Sequence, residues 1–200
     1  MKNSVAIVTG ASQGIERSTA IRLTRDFSAV VLAARSAKAL EEVATVVKSV
    51  GAEPLALAVD LSQVEASNTV VNTTLERFGR IDALLNIAGA VPQIDLFEMT
   101  DESWKRLELK LHGARRLTIQ ACDALKQAKG SVVFMSGSAA LDPKLGFAAV
   151  AATNAAITAL AKAFAEQGIK DGVQVNSIVP GAVMTGRRRR SSRSGHRRTT

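Results

Sequence analysis

The chain has no tyrosine and only one cysteine, Cys122. The first absence removes the phenol from any acid–base chemistry. The second rules out an internal disulfide and points to a reducing compartment. Its two histidines, His112 and His196, are not spaced with other ligand-type residues as a metal site requires, so no metal is expected. No charged lead, apolar h-region and cleavage site precede the first apolar run. The longest weakly polar stretch, 147–165, is alanine-rich and holds Asn154 and Lys162, which fits a packed helix better than a membrane span. A soluble, cytoplasmic protein is expected. Acidic residues are missing from 187–200, which carries seven arginines. Taking those seven from the 26 basic residues leaves 19 against 18 acids, so the net charge of +8 belongs to the tail and residues 1–186 carry about +1.

What is present is a core-forming chain. Two hundred residues at 46% hydrophobic content suffice for one domain. Near the start, Val5-Ala6-Ile7-Val8-Thr9 is an apolar run that ends at Gly10. It turns through Ala11-Ser12-Gln13, meets Gly14 and enters a helical pattern at Ile15-Glu16. Glycine permits a tight turn and a close approach of phosphates to the backbone, and the helix start presents unpaired N–H groups to them. That is half of a dinucleotide-binding βαβ unit.

Further strands are expected at 29–34, 55–59, 83–86, 131–135 and 173–178, with helices at 36–50, 101–127 and 148–167. Ser62-Gln63-Val64-Glu65 fits a capping box, and Val64, Val71, Leu75 and Phe78 continue one helical face up to Gly79. Short Val/Ile/Leu/Ala strands alternating with helices predict an α/β fold, a Rossmann-like doubly wound parallel sheet in three αβα layers, ordered 3-2-1-4-5-6. Ligands of such sheets sit beyond the carboxyl ends of the strands at the switch point. Gly10–Gly14, Arg35, Asp60, Asn86–Gly89, Ser136–Ser138 and Pro180–Thr185 all follow strand ends and should converge on one crevice.

In this order, Thr9-Gly10-x3-Gly14, Asp60, Asn86-x-Ala88-Gly89 and Asn176-x-Ile178-x-Pro180-Gly181-x-Val183-x-Thr185 resemble the classical short-chain dehydrogenase/reductase family over residues 1–186. The resemblance implies an NAD(P) site. Gly10, Ser12, Gln13, Gly14 and Ile15 would line the pyrophosphate, and Asp60 and Leu61 the adenine. Asn86, Ala88 and Gly89 would lie on the ribose side, while Pro180, Gly181, Val183 and Thr185 would hold the nicotinamide amide. The second strand ends at Ala34-Arg35, without the acid that would bind a ribose diol. Arg35 can grip a 2′-phosphate, which favours NADP(H) over NAD(H); the alternative is a solvated arginine at a helix start.

The chain departs from the family in its chemistry. The third glycine of the turn is Glu16. Its carboxylate either repels the phosphates, partly screened by Arg17, or points to solvent at little cost. The family's Tyr-x3-Lys pair falls on Val150 and Asn154, its serine on Gly137 between Ser136 and Ser138, and its long-helix asparagine on Lys110. A valine has no proton to give. Lys110 and Asn154 look like exchanged partners. If they meet, Lys110 can polarise a carbonyl, with water or Ser138 serving the proton; otherwise Lys110 is a surface lysine and Asn154 a helix residue bonded to backbone. Ser138, Lys110 and Asn154 are therefore the catalytic candidates.

After Thr185-Gly186 the composition breaks into the Arg/Ser tail. It reads as a basic arm that binds nucleic acid or, preferred because the break falls inside an element the family needs, as out-of-frame sequence. The last strand, with Val173, Val175 and Ile178, is then expected to be an exposed sheet edge. Three functions are weighed: an oxidoreductase on a small alcohol/carbonyl substrate with impaired or altered chemistry, a non-catalytic dinucleotide-binding protein that packs helices 101–127 and 148–167 against a second copy, and a nucleic-acid binder through the tail.

Overall fold

Six short apolar strands decide the architecture. In a computed structural model that describes residues 3–89, 94–105 and 109–183, they are β1 (Val5–Thr9), β2 (Ala29–Ala34), β3 (Glu53–Ala58), β4 (Ala83–Asn86), β5 (Ser131–Met135) and β6 (Gln174–Ile178). All neighbours pair in parallel, in the order β3-β2-β1-β4-β5-β6. The helices are α1 (Gly14–Leu23), α2 (Ala37–Ser49), α3 (Ala66–Phe78), α4 (Asp101–Lys105), α5 (Ala114–Ala128) and α6 (Ala148–Asp171).

Alternation along the central strands divides the apolar side chains between two cores. Ile7, Val31, Leu84, Val132 and Phe134 join Val70, Leu117, Leu125 and Ile157 on one side. Val8, Val30 and Leu32 join Leu40, Val43 and Val47 on the other. Burial on both faces is why these strands read as continuous apolar runs. Helix α6 is long and apolar enough to cross a membrane by composition. Here Ala149, Ala151, Ile157 and Ala161 are buried, and it packs on β5 and β6.

Three expectations need correction. Ser62 does not cap α3, which begins at Ala66 with Glu65 as its N-cap and no side-chain capping bond. Asp60 takes the local donors instead: its Oδ1 accepts from Ser62 N at 3.0 Å and Ser62 Oγ at 2.8 Å. Val64 is accordingly exposed, and Val70, Val71 and Thr74 form the inner face. The helix expected over 101–127 is not one regular helix: α5 is preceded by a π-helical turn, Leu109–Gly113. The last strand starts at Gln174 rather than Val173, with Ile178 exposed and Val175 half-buried at the edge of the described sheet.

Where the strand order reverses, β1 and β4 are tied by one hydroxyl. Thr9 Oγ1 donates to Leu85 O at 3.1 Å and accepts from both Ile87 N and Ala88 N at 2.9 Å. It satisfies three backbone groups where the ladder has stopped. Replacing Thr9 with valine keeps the shape but strands Ala88 N and leaves Ile87 N only its bond to Leu85 O at 3.1 Å, so the protein should lose about 1–3 kcal/mol in urea unfolding, whereas Thr9→Ser should lose less than half of that.

Candidate functional site

The carboxyl ends of the strands enclose two cavities, of about 450 and 590 Å³. The larger is lined by Gly10, Ser12, Arg35, Asp60, Leu61 and Ala88, among others. The smaller is lined by Gly14, Ile15, Lys110, Ser136, Gly137, Pro180, Gly181 and Val183, among others. Gln13, Glu16 and Gly89 line both and form the waist between them. Most of the residues expected at strand ends therefore meet in one crevice. Thr185 and the 187–200 tail lie outside the described residues.

The glycine turn is built as its sequence requires. Gly10 has φ +76°, and a Cβ there would come within 3.1 Å of Ala88 Cα. Gln13, the N-cap of α1, makes no side-chain capping bond of its own. Glu16 does not point to solvent. It is half-buried, and its Oε2 lies 2.8 Å from where a Cβ on Gly14 would be. The carboxylate thus folds back over the turn, in the waist.

At the far end of the larger cavity Asp60 is held ionised. The backbone N–H of Ser62 lowers its pKa most, with the Ser62 hydroxyl and Arg35 adding to this against a burial penalty. Arg35 is exposed, next to Ser36, whose hydroxyl caps α2 at Ala39 N.

Lys110, which lines the smaller cavity, meets Asn154, which is buried behind the lining. Lys110 is no surface lysine: it is 9% exposed. Its Nζ donates to Asn154 Oδ1 at 2.6 Å and to Ser136 O at 3.3 Å. The π turn that carries it lies close against the end of β4, because a Cβ on Gly89 (φ +135°) would come within 2.7 Å of Lys110 Cβ. Desolvation lowers the lysine pKa to about 8, against an opposing pull from the Glu16 charge.

Two expected residues are placed elsewhere. Ser138 is exposed, lines neither cavity, and uses its N–H on Pro180 O at 2.9 Å. Asn86 is buried and donates from Nδ2 to Thr118 Oγ1 at 2.9 Å, bracing β4 against α5. Its Oδ1 has no partner among the described residues.

Sequence reasoning missed the role of Ser136. Its hydroxyl donates to Asn154 O at 2.8 Å and accepts from Thr158 Oγ1 at 3.0 Å, while its carbonyl receives Lys110. The contact partners lie 18 to 26 positions away. The one available signal was its place directly after a strand.

A parallel 3-2-1-4-5-6 sheet with a glycine turn at its switch point defines a dinucleotide-binding class of α/β proteins. The model of the short chain dehydrogenase family matches residues 4–195, and the chain belongs to that family. It is 32% identical over 184 residues to a 3-oxoacyl-(acyl-carrier-protein) reductase of Synechocystis sp., covering 90% of this chain and 74% of that one. Among solved structures it is similar to L-sorbose reductase from Gluconobacter frateurii complexed with NADPH and L-sorbose, with TM-score 0.94 and 28% identity over 100% of this chain and 77% of that one. An alcohol dehydrogenase from the archaeon Thermococcus sibiricus, complexed with 5-hydroxy-NADP, gives TM-score 0.85 and 30% identity over 90% of this chain and 77% of that one.

The buried lysine has a measurable signature. Its folded pKa of about 8 lies below its ordinary 10.5, so between those values the unfolded chain holds a proton that the folded one has released. Stability therefore rises with pH across that window. Urea unfolding of wild type and Lys110→Met should show their difference moving in favour of the wild type by on the order of 3 kcal/mol from pH 8 to 10.5. A difference that stays flat with pH would mean that the amine is not desolvated.

Proposed function

We propose that this chain binds a nicotinamide dinucleotide along the two cavities, prefers NADP(H), and acts as an oxidoreductase on a small alcohol or carbonyl compound. The observation that carries the reading is the pair of cavities that meet at the glycine turn and the start of α1. The relatives support it, since L-sorbose reductase is complexed with NADPH and the archaeal alcohol dehydrogenase with 5-hydroxy-NADP.

The residues present fit such a group at most points. Gly10 and Gly14, both at positive φ, add no side chain of their own where a diphosphate would approach the turn, with Ser12, Gln13 and Ile15 beside it. Asp60 and Leu61 border the adenine end and Arg35 the place for a 2′-phosphate, while Ala88 and Gly89 form the ribose side. Pro180, Gly181 and Val183 border the nicotinamide end. Asn86 acts from beneath, by holding β4. Glu16 is the exception: its carboxylate lies where negative charge must come.

A bound cofactor of this kind supplies or accepts the electron pair of an alcohol/carbonyl interconversion. The protein must hold the carbonyl and manage its proton, and Val150 has no group for that work. A second reading, a dinucleotide-binding protein without turnover, is favoured by that valine and by Glu16 at the waist. Cofactor oxidation with a panel of small carbonyl compounds separates the two.

Fluorescence titration of the purified protein should show NADPH binding more tightly than NADH. Arg35→Ala should weaken NADPH by about tenfold and leave NADH nearly unchanged, as expected for one lost charge-assisted contact. Absence of binding to either dinucleotide would overturn the proposal. By the same titration, Glu16→Gln should tighten both dinucleotides by about three- to tenfold, the effect of removing one nearby like charge.

A further inference from the structure

We propose that Lys110 is the proton donor of this site: its side-chain nitrogen protonates the carbonyl oxygen of a small aldehyde or ketone. It would do from the π turn the work that the family resemblance assigns to a tyrosine at the position of Val150. The proposal rests on the reading above, in which a reduced nicotinamide dinucleotide is the reductant.

The geometry supplies the reasons. Of the described residues lining the smaller cavity, Glu16 and Lys110 are the ones that ionise, and Glu16 sits at the waist. Ser136 has committed its hydroxyl proton to Asn154 O, and Ser138 lies outside the cavity. An ammonium carries three N–H groups. Two are taken by Asn154 Oδ1 and Ser136 O, both acceptors, which leaves the third for a ligand. Loss of that third proton leaves an amine with two N–H groups for the same two acceptors. The donor thus releases its proton without dismantling its own support.

The charges around it suit the task. Asn154 from α6 and Ser136 from the end of β5 are neutral, Glu16 from α1 favours the ammonium, and His112 on the same turn is exposed. Burial brings the acidity close to neutral pH, where a general acid is both protonated and willing to give its proton up.

In the step, the carbonyl carbon accepts a hydride from the reduced nicotinamide and the C–O π pair moves onto oxygen. That oxygen takes a proton from Lys110 Nζ, so an O–H bond forms as an N–H bond breaks. The products are the alcohol, the oxidised dinucleotide and a neutral amine, which solvent reprotonates.

The test uses the full chain and three readouts. Trace labelling with acetic anhydride, followed by mass spectrometry across pH, should give Lys110 a midpoint near 8 rather than the ordinary 10.5. Lys110→Met should keep NADPH affinity within about threefold by fluorescence while NADPH oxidation with small carbonyl compounds falls by about 10²- to 10⁴-fold, the usual loss for a general acid. Lys110→Arg keeps the charge but is too weak an acid, so it should lose turnover as well. Wild-type kcat for reduction should fall above about pH 8, a decline that the variants lack.

Unchanged turnover in Lys110→Met, rescue by Lys110→Arg, or an ordinary labelling midpoint would overturn the role of Lys110. So would a wild type that binds NADPH but turns over no carbonyl. A wild type that binds neither dinucleotide would instead overturn the underlying reading, and the proposal with it. Should Lys110→Met fail to fold, the labelling midpoint and Lys110→Arg decide.

Discussion

A sheet whose strands all run one way delivers every carboxyl end to the same rim, and everything of interest in this molecule sits on that rim. The reversal of order between β1 and β4 parts the rim into a crevice. Such an opening leaves backbone groups without a neighbouring strand, and buried groups of that kind must find other partners. Thr9 provides them, with one hydroxyl serving three backbone atoms across the gap. The crevice is held open by satisfied hydrogen bonds rather than by the lack of something to fill it.

Into one wall of that crevice the chain has placed an amine out of water. Burying a charge costs free energy unless strong acceptors replace the lost solvent. Asn154 Oδ1, the Ser136 carbonyl and the field of Glu16 are that replacement, and they are incomplete, so the lysine becomes more acidic than its free counterpart. Their rigidity matters as much as their polarity. The Ser136 hydroxyl bonds to the backbone of α6 at Asn154 and receives Thr158, so β5, α6 and the lysine are fixed together.

Most of the fold was legible because strands buried on both faces announce themselves as apolar runs. Ala29–Ala34, Ala83–Asn86 and Ser131–Met135 end where their composition changes. What depended on local competition was less readable. Ser62 is a good capping residue, but Asp60 stands two positions earlier with a stronger acceptor and claims both donors of Ser62. The break before α5 was hidden because a π turn inserts about one residue and shifts the helix face, and residue spacing alone gave no sign of that shift here. The turn ends at a close tertiary approach, since at Gly113 an added Cβ would lie 2.8 Å from Leu61 O. The direction of Glu16 and the double duty of Thr9 and Ser136 depend on rotamers and on partners distant in sequence, which no spacing rule reaches.

The departures from the family pattern are not independent of one another. A Cβ at Gly137, where the resemblance places a serine, would stand 2.6 Å from Asn154 Nδ2. Asn154 cannot yield that space, because its Oδ1 is fixed by Lys110 inside the protein. Lys110 in turn reaches Asn154 because the π turn lies against a glycine at position 89. With asparagine at 154 a side chain at 137 becomes a clash, and with lysine at 110 the asparagine becomes the acceptor that a buried ammonium needs. Gly137, Asn154 and Lys110 thus touch in sequence, each packed so that the next is tolerated.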